Sequence, residues 1–137
     1  MKKIKLNPNH SLGCFVLGEN IEKYLHFVHN VQELDYHTSY YFDDFDIDIW
    51  LDDSRKVNTI RCTKYCYWNE KNLIKMSFEQ FLLECNVKPD RSEMLYVMIS
   101  ENRGQNQIVY DFDELGLMIW VWRDKIRTIL ISKYDKE

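Results

Sequence analysis

Two stretches of this chain read as copies of one strand–turn–strand unit, and that echo constrains the fold more than any other feature. Asp46 to Cys62 and Gly116 to Ile131 align when Trp50 is placed on Trp120. Ile49 then falls on Ile119 and Leu51 on Val121. After a one-residue gap in the turn, Lys56, Val57, Thr59 and Ile60 meet Lys125, Ile126, Thr128 and Ile129. Each stretch alternates apolar and polar residues on either side of a polar turn, the pattern of a β-hairpin. The echo continues upstream, where Glu22, Tyr24 and Leu25 correspond to Glu79, Phe81 and Leu82. Asn20 and Ser77 precede these segments as helix N-caps, and Gln80 follows Ser77 at capping-box spacing. Ile21, Tyr24, Leu25 and Val28 share one face at helical spacing, as do Phe78, Phe81 and Leu82.

The fold expected on this basis is α+β: an antiparallel sheet with short helices packed on one face. It consists of two pseudo-repeats of a helix followed by a β-hairpin, about 11–67 and about 71–133, within a single domain spanning 1–137. An extra strand is expected from Met94 to Ser100, turning back through Asn102, Arg103 and Gly104. Composition agrees with sheet: nine Tyr, seven Phe and four Trp occur without a single Ala, and 45% of residues are hydrophobic.

The start of the chain carries the lysines of a signal peptide but no apolar run behind them. Leu117 to Trp122 is too short to cross a bilayer. A cytoplasmic location without a membrane partner is expected, with Cys14, Cys62, Cys66 and Cys85 as reduced thiols. A formal charge of −4 argues against direct nucleic-acid binding, which needs a basic excess to neutralise phosphates.

Alternation divides each hairpin into two faces. Phe45, Ile47, Ile49 and Leu51, with Leu117, Ile119 and Val121, form the core side. Asp46, Asp48, Trp50 and Asp52, with Met118, Trp120 and Trp122, look the other way. Indoles mixed with carboxylates suit an interaction surface, because Trp and Tyr supply anchoring area while acids select a basic partner. The partner-binding residues expected are Tyr41, Asp44, Asp46, Asp48, Trp50, Asp52, Asp53, Trp120 and Trp122. The plainer reading is that the indoles pack within the monomer and the aspartates are merely solvated.

Catalytic chemistry finds little support. Cys62 and Cys66 lack the second ligand pair of a structural zinc site. His26 and His29 could share a helix face but have no third ligand. Asp44, Asp46 and Asp48 could present carboxylates to a divalent cation, yet no phosphate loop or nucleophile motif accompanies them. No catalytic residue, metal ligand or cofactor is therefore assigned.

Three segments carry a resemblance: Ser11 to Gly18 ahead of a short helix, Phe45 to Asp53, and Leu115 to Trp122. In size and style the chain resembles the bacterial immunity proteins of polymorphic-toxin and contact-dependent growth inhibition systems. The resemblance implies a cytoplasmic, non-enzymatic protein that neutralises one cognate toxin domain, expected to be a nuclease, by occluding its basic active site. Two alternatives stand beside it: a homodimeric scaffold joined through its Trp face, and a small carboxylate-dependent enzyme.

Overall fold

The computed structural model describes residues 3–33 and 38–133. Three two-residue strands open the chain, β1 (Leu6–Asn7), β2 (Ser11–Leu12) and β3 (Phe15–Val16), and a single 3-10 turn follows at Ile21–Tyr24. Four strands come next: β4 (His29–Glu33), β5 (Thr38–Phe42), β6 (Ile47–Leu51) and β7 (Val57–Cys62). A small hairpin, β8 (Tyr67–Trp68) with β9 (Lys71–Asn72), leads to helix α1 (Phe78–Cys85). The chain ends with β10 (Arg91–Ser100), β11 (Arg103–Phe112), β12 (Leu117–Trp122) and β13 (Lys125–Ser132).

The protein is mainly β, which corrects the expected α+β class and its helix-then-hairpin repeats: strand makes up 54% of the described residues, which hold one helix of seven or more residues. Eight strands form one antiparallel sheet in the order β10-β11-β12-β13-β7-β6-β5-β4. The expected first helix shrinks to one turn, Ile21–Tyr24. Asn20 caps it by accepting from the Glu22 N–H at 2.9 Å, but the next residues, His26, Phe27 and Val28, are poor helix formers. Phe27 instead joins the rings of Phe15 and Phe45, at centroid distances of 6.1 and 5.0 Å. The chain then runs into edge strand β4. Helix α1 survives because Ser77 accepts from the Gln80 N–H at 3.1 Å. Only half of the capping box forms there, since the Gln80 amide donates to Glu84 instead.

Each half of the sheet is a four-stranded meander, twice the expected hairpin. The two central hairpins nevertheless keep one register. Trp50 pairs with Thr59 and Trp120 with Thr128, and each pairing shifts one residue later. The entry into each half is also built alike. Ile21 donates to the Arg55 carbonyl and Phe78 to that of Asp124. Asn20 bridges to Lys56 and Ser77 to Lys125. The halves join where β7 pairs with β13, with Ile60 opposite Ile131 and Cys62 opposite Ile129.

All the covering elements lie on one face of the sheet. Leu12, Phe15 and Ile21 from the first half, with Leu73, Phe78 and Phe81 from the second, pack over Ile47, Ile49, Ile60, Ile119, Ile129 and Ile131. Phe15 is wholly buried, its ring 4.8–5.1 Å from those of Tyr24, Phe42 and Phe45. Antiparallel sheets tolerate a single covered face because alternation leaves the other free to be polar.

Candidate partner-binding groove

The uncovered face carries the alternate residues. Ile47, Ile49, Leu117, Ile119 and Val121 are buried, while Asp48, Trp50, Met118, Trp120 and Trp122 are half-buried on the opposite side. Cross-strand pairing aligns one row over nearly the whole sheet: Tyr41, Asp48, Arg61, Leu130, Met118, Asp111 and Arg91. Beside this row a groove of about 1120 Å³ opens, lined by Trp50, Trp120 and Trp122. The distal β10–β11 hairpin forms one wall. Its residues 103–107 pair only with β10, because the β11–β12 ladder covers Ile108 to Phe112 alone.

The groove is cationic. Arg61, Arg103, Arg123 and Arg127 line it, and none of its lining residues is acidic. Two guanidiniums flank one indole: the Cζ atoms of Arg123 and Arg127 lie 4.5 and 4.6 Å from the Trp122 ring centroid. Such cation–π stacking holds a guanidinium plane in place while leaving its N–H edges available. Local backbone explains both positions. Arg123 and Asp124 form the two-residue turn between Trp122 and Lys125 with φ of 49° and 68°. Two positive φ values define the type I′ turn that matches hairpin twist. Arg127 is the extra residue where the β12–β13 register shifts, and a bulge re-aims its side chain. Two buried donors, Trp120 Nε1 and Arg127 Nε, have no hydrogen-bond acceptor among the described residues.

The expected acidic residues are dispersed. Asp48 accepts from Arg61 at 2.7 Å, so its charge is matched within the face. Asp44 and Asp46 sit in the β5–β6 turn. Asp46 accepts from the Tyr41 hydroxyl at 2.5 Å and lies 3.4 Å from Lys64 Nζ. That hydrogen bond, with burial and the neighbouring charges of Asp43 and Asp48, pushes the Tyr41 phenol up to about 12. Asp52 and Asp53 occupy the turn at the other end of β6, where Asp52 Oδ1 accepts from the N–H groups of Ser54 and Lys56. Of the nine residues expected at the site, the structure gathers Trp50, Trp120 and Trp122 in one groove and sets the aspartates and Tyr41 outside its lining.

The other candidate chemistries separate in space. His26 is exposed beyond the 3-10 turn, whereas His29 lies on β4 with Nδ1 2.7 Å from the Phe27 carbonyl. That carbonyl can only accept, so Nδ1 carries the proton. Cys62 and Cys66 are buried together, and burial, then the hydrogen bond to Cys62, pushes the Cys66 thiol well up. Among the described residues no group of three His, Cys, Asp or Glu side chains could hold a metal, and no helix is long and apolar enough to cross a membrane.

The arginines escaped the sequence reading. Alternation along β7 could have found Arg61, between buried Ile60 and Cys62. Arg127 could not be found that way, because the bulge breaks the parity on which the method depends. Arg103 reaches the groove only through the course of the distal hairpin. No protein-family model, curated protein or solved structure matches the chain.

Proposed function

We propose that this chain is a non-enzymatic binding protein of the immunity type, which holds a toxin domain of another protein against its Trp-lined groove. The observation that carries the reading is the convergence of three indoles and four guanidiniums on the sheet face that no described element covers. Trp and Arg are the side chains that most often supply the energy of protein interfaces, and they do so from desolvated, central positions. Polar Asn106, Gln105 and Thr128 line the groove together with these side chains, the mixture of polar and aromatic surface found in such interfaces. The indole-bearing face is arginine-rich, so contact with a basic nuclease cleft would fall to the carboxylates at the two ends of β6. The groove itself suits a different part of the toxin.

The test is co-expression with a toxin domain encoded by a neighbouring gene, followed by calorimetry of the purified pair. Trp122→Ala should weaken the complex by about 2 kcal/mol or more, the range of a hot-spot truncation. Undiminished affinity in a folded Trp122→Ala variant sinks the reading.

A second reading rests on the free edge of β10. Met94, Tyr96, Met98 and Ile99 are 64%, 66%, 57% and 56% exposed along a ten-residue strand with no outer partner among the described residues. Long unguarded edges pair with other strands, so a homodimer joined β10 to β10 is the alternative. Sedimentation decides it: a mass of one chain at micromolar concentration removes the dimer.

A further inference from the structure

Building on that reading of the groove, we propose that its occupant is an acidic segment of the partner protein, with carboxylates interspersed among apolar side chains. The charge distribution is the first ground. The chain as a whole has 22 acidic residues against 18 basic ones, yet the groove has four arginines and no carboxylate. Among the described residues only Arg61 of these four has an anionic partner, Asp48. Arg103, Arg123 and Arg127 therefore bring uncompensated charge to one place, against the sign of the molecule. Charge complementarity of this kind selects partners and accelerates encounter.

The second ground is hydrogen bonding. Trp120 Nε1 and Arg127 Nε are buried donors without acceptors, both on groove-lining residues. Leaving a buried donor unpaired is costly, and a carboxylate is the acceptor that best suits a guanidinium edge. The distal hairpin forms one wall of the groove, and its residues 103–107 are paired on one side only. The third ground is the apolar lining. Val97, Met98, Ile99 and Leu130 line the same groove. These aliphatic surfaces suit the apolar side chains of a peptide, whereas a nucleic-acid strand would engage the groove chiefly by stacking bases on its indoles.

The experiment uses the full chain and a fluorescein-labelled synthetic peptide in which Asp and Glu alternate with Leu and Phe, followed by anisotropy. Two control probes are the same peptide with Asn and Gln for its acids, and a labelled single-stranded oligonucleotide. The acidic peptide should bind at least about tenfold tighter than either control, as charge-assisted pairing demands. The double variant Arg123→Gln with Arg127→Gln should lose about tenfold, while Lys88→Gln with Lys133→Gln, an equal loss of charge outside the groove, should bind normally. Asp48→Asn, which releases Arg61, should strengthen binding, and this holds even if the arginine double variant fails to fold. Equal affinity for the amide peptide, tighter binding of the oligonucleotide, no binding at millimolar peptide, or an indifferent folded arginine variant each overturns the proposal. The outcomes also separate the two claims. If toxin capture depends on Trp122 but ignores Arg123 and Arg127, the groove stands and the acidic occupant falls. If capture ignores Trp122, the groove itself falls.

Discussion

Phe15→Ala is the sharpest probe of how the covered face supports the open one. Phe15 is wholly buried on β3, with four aromatic rings at centroid distances of 4.8–6.1 Å. These rings come from the 3-10 turn, the segment after it, β5 and the β5–β6 turn, so the side chain ties the N-terminal cover to the sheet. A Phe→Ala change at such a site costs about 3–5 kcal/mol, the sum of lost transfer energy and the cavity left behind. The upper end is expected because tilted and edge-on ring pairs each add about 0.5–1.5 kcal/mol beyond area. Against a total stability of about 5–15 kcal/mol this is a large fraction. With a urea dependence of about 2 kcal/mol per molar, the midpoint should fall by roughly 2 M. Trp fluorescence and far-ultraviolet dichroism should fall in one coincident transition, since a single sheet joins both halves through β7 and β13. A loss below about 1.5 kcal/mol, or two separate transitions, refutes the claim that the first-half aromatic cluster and the seam belong to one cooperative core.

Three further outcomes follow from local geometry. Asp48→Asn should cost at most about 1 kcal/mol in a thermal melt, because the Arg61 pair is partly exposed. Gly116→Ala should lower stability by about 2–4 kcal/mol, read as a fall of roughly 10 °C in Tm. Gly116 has φ of 65°, and an added Cβ would strike the Ser132 carbonyl, whose own residue donates back to Gly116 at 2.8 Å. Tyr41 should titrate near pH 12 in a phenolate absorbance scan, and Tyr41→Phe should delete that step. Its folded-state value lies above the ordinary one, so its contribution to stability is complete below about pH 10 and disappears as pH rises through about 12.

The sequence by itself determined the parity of the strands. Alternation put Ile47, Ile49, Ile119 and Val121 inside and Trp50, Trp120 and Trp122 outside, because successive side chains on a strand point to opposite faces. The Ser77 cap of α1 and the shared register of the two central hairpins were legible for the same reason: both depend on residues near one another in the chain. The helix expected after Asn20 was not decided locally. Val28 continues the helical face of Ile21, Tyr24 and Leu25, and the aromatic cluster around Phe15, which takes Phe27, settled the matter. Above all, the charge of the open face belonged to tertiary structure. Reading one strand at a time gave β6 an acidic face, but pairing with β7 matched Asp48 with Arg61, the turns drew the other aspartates to the ends, and a bulge and a type I′ turn brought Arg127 and Arg123 beside Trp122. Cross-strand neighbours are remote in sequence, so the chemistry of a sheet face emerges only once the strands have found one another.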